Sequence, residues 1–209
     1  MTREMDTIMT RRSSPNLAVE AYTDPVSMSD GMRFCHLRYE ATYHTHWQAY
    51  PDVLFVARRS GSIVSTLGME LGTHHAQFGA ERYFHLGPRM RAFLAEHRSR
   101  VVELGRFASE YQDGARVVFR AAIDYALGHD IGYFIAWANP SVIQHLRHVL
   151  GIPFWHLPLP INVDAVEHDT QWVTPPRGFF FRADPPELLL SMPPFWEHVP
   201  YPTTILGGG

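Results

Sequence analysis

Apolar residues change their spacing several times along the chain, and each change marks an element. Between Asn16 and Tyr22 apolar and polar positions alternate (Leu17, Val19, Ala21), which predicts a short strand. Ser29–Asp30–Gly31 breaks the pattern and predicts a helix start, with the helix running through Met32, Leu37 and Ala41. Val53–Ala57 is an unbroken apolar run, Arg58–Gly61 turns it, and Ser62–Leu71 returns, which together predict a hairpin. Residues 72–87 carry no clear period. Pro88 opens a predicted helix that ends near His97, and Arg100–Ala108 reads as a strand. From Asp113, taken as an N-cap, two apolar rows spaced by four (Val117, Ala121, Tyr125 and Val118, Ala122, Ala126) predict a helix closed by Gly128. Ile131–Trp137 follows as a buried strand. Asn139 as cap and Pro140 in the first turn open another helix, with Val142, Ile143, Leu146, Val149 and Leu150 as its apolar face and Gly151 at its end. Further strands are predicted at Phe154–Leu159 and Gly178–Arg182.

Strands alternating with helices in the second half predict an α/β fold with a mixed sheet flanked by helices. The strand–helix–strand over 100–137 predicts a right-handed parallel crossover. Residues 1–15 are polar and read as a flexible leader, and 16–163 as the folded domain. Residues 164–209 read as a Pro-rich extension packing on that domain, since eleven of the 16 prolines lie beyond residue 150.

Composition narrows the chemistry. The 18 basic residues are all arginine, so lysine Schiff bases, lysine nucleophiles and a Walker A lysine are excluded. A phosphate must be met by arginine or backbone N–H groups. A net charge of −3 argues against a dedicated nucleic-acid binder. The single cysteine, Cys35, allows neither an internal disulfide nor a cysteine zinc cluster. No apolar run is long enough to span a membrane, and a cytoplasmic protein is expected.

Three motifs agree in order and spacing. Glu103–Leu104–Gly105–Arg106–Phe107–Ala108–Ser109 ends the predicted fourth strand, Leu37–Arg38–Tyr39–Glu40 lies in the first helix, and Asn139 to Gly151 forms a late helix. Together they resemble the GNAT acyltransferase superfamily over residues 16–160. Within it they resemble the branch of autoinducer (acyl-homoserine lactone) synthases and N-acyl amino acid synthases, with features also of thermostable haemolysin-like proteins. The chain departs from autoinducer synthases at Tyr43–Asp52, where Asp52 is the only acid, and at Leu67–Gly68–Met69–Glu70, where they carry an arginine. The late helix lacks the general-acid tyrosine of many acetyltransferases. The resemblance therefore implies a GNAT-like N-acyltransferase with a different amine acceptor. Its co-substrate would be acyl-coenzyme A or the phosphopantetheine of an acyl carrier protein, with no permanently bound cofactor. A non-catalytic GNAT-like binding or haemolysin-like protein is the alternative.

Acyl transfer needs a phosphate site, oxyanion donors and a base. The Tyr111–Arg116 loop enters a helix N-terminus, so Gly114, Ala115 and Arg116 are the candidate phosphate residues, with Asn139 added by the resemblance. The bland alternative is an ordinary helix-start turn. Backbone N–H groups at Phe107, Ala108 and Ser109 are the candidate oxyanion donors. Glu103 is a candidate base or amine-binding acid, Glu81 a second base, and Arg106 a carboxylate ligand. Three apart on a strand, Glu103 and Arg106 are expected on opposite faces. Structural ion pairing is the alternative for both. The resemblance places Arg38, Tyr39 and Trp47 at the substrate.

Other features have blander readings. Cys35 is core filler before it is a nucleophile. His44, His46, His74 and His75 read as solvated or core histidines, and no metal is expected. Phe179–Phe181 and Phe195–Trp196 read as core aromatics before an acyl tunnel. Arg82, Arg89, Arg91, Arg98, Arg100, Arg106, Arg116, Arg120 and Arg147 read either as a basic face for an acidic carrier or as a solvated surface. Acceptor, chain length, carrier and oligomeric state stay open.

Overall fold

The computed structural model describes residues 17–43, 49–138, 142, 155–156, 159–167 and 177–182. Among these residues seven strands form one sheet: β1 (Leu17–Tyr22), β2 (Val53–Arg59), β3 (Ser62–Leu71), β4 (Val101–Ser109), β5 (Tyr133–Ala138), β6 (Trp155–His156) and β7 (Arg177–Arg182). Their order is β1-β2-β3-β4-β5-β7-β6. Among the described strands only the β4–β5 pair is parallel. It is made by the strand–helix–strand crossover expected from the sequence, through α4 (Gln112–Gly128). The strand β7, within the segment read as an extension, lies between β5 and β6.

Two layers cover the sheet. On one face α4 sets Val118, Phe119, Ala122 and Ala126 against Val53, Phe55, Ala57, Leu67, Met69, Val102 and Leu104. On the other, α1 (Pro25–Tyr43) sets Met28 and Met32 on Leu54 and Val56. Beside it, α2 (Gly79–Tyr83) and α3 (Pro88–His97) pack on Val101, Tyr133 and Ile135. This explains the unbroken apolar run of β2: both of its faces are covered, so alternation disappears. A short helix, α5 (Val163–Glu167), follows β6 in sequence. Among the described residues no helix is long and apolar enough to cross a membrane.

The structure corrects the expected starts of the first helix and of α4. The first helix starts at Pro25, capped by Asp24, whose Oδ1 accepts from Ser27 N–H at 2.9 Å. It runs straight through Gly31, which is no break. A Cβ there would meet Leu54 Cδ2 at 2.7 Å and Val56 Cγ2 at 2.8 Å, so the glycine lets helix and sheet approach closely. Asp113 is not the N-cap of α4. Tyr111 holds that place, and Asp113 sits in the first turn, ion-paired to Arg59. Residues 72–87 hold α2, too short to show a period. Of the strand expected over Phe154–Leu159, Trp155–His156 is strand, and Phe154, Leu157 and Pro158 lie outside the described residues.

Candidate active site

The strand β4 pairs with β3 along most of its length but with β5 only from Val101↔Tyr133 to Leu104↔Ala136. Beyond that point β4 runs on to Ser109 and β5 to Ala138, and β5 keeps only its β7 partner. Among the described residues the β4 edge from Gly105 to Ser109 is therefore open on the β5 side. Phe107, Ala108 and Ser109, the candidate oxyanion donors, all lie on this open stretch. Phe107 packs edge-on against Phe119 of α4 at 5.3 Å, and Ser109 Oγ donates to Tyr111 O at 2.8 Å.

A bulge sits where the opening begins. Thr66 pairs with Ala108 and Gly68 with Gly105, so Leu67 alone stands opposite Arg106 and Phe107. Arg106 takes φ 49°, a left-handed conformation rare outside glycine. Its carbonyl is gripped from two sides, by Thr66 Oγ1 at 3.0 Å and by the Cys35 thiol at 3.4 Å. Such a residue persists because its surroundings over-determine it. Cys35 is thus a structural clamp. Burial pushes its thiol up to about 12, which leaves no thiolate for nucleophilic work.

The bulge overturns the expectation that Glu103 and Arg106 stay on separate faces. The Arg106 guanidinium closes on Glu70 Oε1 at 2.6 Å, and Glu70 stands directly opposite Glu103 in the β3–β4 register. Opposed residues share a face. The inserted residue breaks the alternation on which the expectation rested, so Arg106 reaches Glu70, which in turn faces Glu103.

Glu103 is buried at the foot of the opening. It receives the first N–H groups of α2: Gly79 N–H at 2.5 Å on Oε2 and Ala80 N–H at 2.7 Å on Oε1. The Trp137 indole of β5 adds a third hydrogen bond. Burial pushes the carboxyl up to about 8, helped by the facing Glu70 charge and opposed by these three N–H groups. Glu81 is held differently. Arg98 grips both its oxygens, at 2.7 and 2.9 Å, and Phe78 N–H donates to it at 2.7 Å. Its carboxylate serves to anchor α2.

At the far end of β4, Gly114 and Ala115 are buried in the first turn of α4, and Arg116 is exposed. A Cβ on Gly114 would stand 3.2 Å from Ser65 Cβ, so this turn sits tight on the sheet. Arg38 pairs with Glu110 and Arg59 with Asp113, and Arg59 also lies over the Tyr111 ring at 4.7 Å. Arg38, expected at the substrate, pairs here with Glu110, just before the α4 start. Tyr39 is half-buried on α1. Trp47, Asn139, His44, His46, Arg147, Phe195 and Trp196 lie outside the described residues, as do the side chains of Phe179–Phe181.

Most of the arginine group is already engaged. Arg98, Arg100, Arg106 and Arg120 are ion-paired, Arg82 lies over Tyr83, and Arg91 donates to Leu86 O. The sequence reading missed Glu70, Trp137 and Arg59 as site residues. The period-two row Tyr133, Ile135, Trp137 was the one available signal, since it puts Trp137 on a core face. The reading also missed that His74 Nδ1 and His75 Nε2 both meet Asp52, at 2.8 and 2.9 Å. Among the described residues no group of three or more histidine, cysteine and acidic side chains is arranged to hold a metal.

A sequence model of the family described as thermostable hemolysin matches residues 23–173, well over half of the chain. No curated protein matches by sequence. Solved structures of the same fold include FeeM, an N-acyl amino acid synthase from uncultured soil microbes, at 15% identity and TM-score 0.54, covering 81% of this chain and 92% of that one. They include BjaI, a coenzyme A-dependent acyl-homoserine lactone synthase solved with SAM and isopentyl-CoA, at 15% identity and TM-score 0.53, covering 81% and 85%. The AHL synthase LasI is similar at 11% identity and TM-score 0.52, covering 80% and 90%. The GNAT-like architecture expected from the sequence is therefore the fold of this chain.

Proposed function

Because the chain belongs to the thermostable hemolysin family and its sheet opens beside a buried glutamate, we propose that it is an N-acyltransferase. It moves an acyl group from an acyl thioester, on coenzyme A or acyl carrier protein, to the amine of an amino acid or small metabolite. The observation that carries this reading is the β4–β5 opening with Glu103 at its foot. The fold shared with FeeM and BjaI, whose names describe acyl-transferring synthases, supports it.

The pantetheine arm lies along the open edge of β4, and its phosphates meet the α4 N-terminus at Gly114, Ala115 and Arg116. The family resemblance adds Asn139 to the residues proposed to bind the carrier. Glu103, whose proton affinity burial places close to neutral pH, takes a proton from the acceptor ammonium. The freed amine attacks the thioester carbonyl carbon, and the carbonyl oxygen is met by N–H groups of Phe107–Ser109. The C–N bond forms, the C–S bond breaks, and the departing thiolate takes up a proton. Arg106, Tyr39 and Trp47 contact the acceptor. No covalent enzyme intermediate is formed.

Purified protein is incubated with acyl-coenzyme A or acyl carrier protein thioesters and a panel of amino acids and amines. Thiol release and a new N-acyl product in the mass spectrum are expected. Thermal stabilisation by the thioester with neither thiol release nor product across the panel would overturn the catalytic reading.

A further inference from the structure

Trp137 is the first β5 residue past the last β4–β5 pair, on the side of the sheet that holds Glu103, since Glu103 pairs with Ile135 and alternate residues share a face. Its indole is seated from two directions. The buried Tyr83 ring packs on it at 4.4 Å, tilted by 48°. Gly79, the first residue of α2, lies against its edge: a Cβ at Gly79 would come within 2.8 Å of Nε1 and 3.0 Å of Cζ2. The same Gly79 donates its N–H to Glu103 Oε2 at 2.5 Å, with Ala80 on Oε1 at 2.7 Å. Glycine is required there because any side chain would drive the indole N–H away from the carboxylate it serves.

We infer that Trp137 is a positioning residue for the proposed transfer, and that its indole N–H holds the Glu103 carboxylate ready to take the acceptor's proton. The inference rests on the proposed function. A carboxylate offers about four acceptor sites. Gly79, Ala80 and Trp137 occupy three, which leaves one for the incoming ammonium. Each donor favours the ionised form, against burial and against Glu70. The other charged or titratable groups nearby are already held: Glu70 by Arg106 and Glu81 by Arg98. Tyr83 and Tyr133 present rings to the same cluster, and His97 packs against Phe93 and Tyr133. Trp137 is therefore the side chain whose replacement changes the Glu103 proton affinity without removing a charge.

The test is Trp137→Phe, which keeps an aromatic side chain beside Tyr83 and removes the N–H together with the indole's second ring. As a base, Glu103 works ionised, so the rate climbs as pH passes through its pKa. Losing a donor to the carboxylate moves that limb to higher pH by about one unit or more. At neutral pH kcat falls about tenfold, the thioester KM holds, and activity returns in alkaline buffer. Gly79→Ala, which displaces the indole instead of deleting it, shifts the limb in the same direction. An unchanged pH profile in a folded Trp137→Phe protein would overturn the inference. The protonated-carboxyl infrared band that disappears in Glu103→Gln gives a reading independent of turnover. If its titration midpoint does not rise in Trp137→Phe, the positioning role fails. If it rises in a protein with no transferase activity, the role in holding Glu103 stands and the proposed reaction fails instead.

Discussion

Glu70 and Glu103 stand directly opposite each other on β3 and β4, yet only Glu70 is held by an arginine, Arg106 at 2.6 Å. Glu103 turns instead to N–H groups of α2 and Trp137. Two like charges on facing residues repel, so the pair divides its roles. Arg106 pairs with Glu70, and burial together with the facing Glu70 pushes Glu103 toward the protonated form. One member of a carboxylate pair is thereby set near neutral pH, where a general base is most useful.

Glu103→Gln should cut the proposed transfer by about 10²–10⁴-fold at neutral pH, while thioester binding, read by thermal shift, persists. The same variant tests the stability linkage. Burial raises the folded-state pKa of Glu103 from 4.5 to about 8. Its preference for the protonated form thus supports folding fully below about pH 4.5 and is lost as pH climbs toward 8. Melting temperature in wild-type protein should therefore fall across that window, and Glu103→Gln should flatten the fall. An identical pH dependence in both proteins would refute the assignment.

Removing either half of the buried Glu70–Arg106 pair leaves the other charge without compensation. Glu70→Gln and Arg106→Met should each destabilise by about 3–5 kcal/mol. The double variant should recover a good part of that loss, which denaturant unfolding of all four proteins will measure as a coupling. Additive losses would show that the pair does not act as a unit.

Gly31 allows α1 to sit on β2. Alanine is worth about 1 kcal/mol to a helix interior, but its methyl would press on Leu54 and Val56, and overpacking costs about 1–3 kcal/mol. Gly31→Ala should be net destabilising, and Gly31→Val more so, by urea midpoint. A stabilised Gly31→Ala protein would contradict the close approach.

Arg59 and Asp113 form an exposed pair at the α4 N-terminus. If thioester phosphates dock there, Arg116→Ala and Arg59→Ala should raise the thioester KM several-fold, with the effect shrinking in high salt. Arg59→Ala should cost more than its own charge, because it leaves Asp113 facing the phosphates. Asp113→Asn should therefore lower the KM. Equal KM values across the series would move the phosphate site elsewhere.

The elements of this chain were legible in its sequence because secondary structure follows burial with a short period. The alternation of Leu17, Val19 and Ala21, the solid run Val53–Ala57 and the four-spaced rows of α4 each report a local face meeting the core. The Glu103–Ser109 motif marked the strand that carries the candidate site, and the missing lysine left phosphate binding to arginine and backbone. Gly31 and Asp113 misled because a glycine or an aspartate looks the same at a break as at a close contact or an ion pair.

The arrangement of the site was decided elsewhere. One extra residue in β4 at Arg106 reverses which face its side chain takes, and period-two reasoning cannot foresee a bulge. Glu70, Gly79, Glu103 and Trp137 come from three strands and a helix of five residues, separated by up to 67 positions in the chain. Their meeting depends on strand register, on the point where β5 leaves β4, and on low-dielectric burial that moves a carboxyl group's proton affinity. Local sequence specifies the faces that must be covered. Which polar groups are sealed together beneath them follows only when distant strands pair.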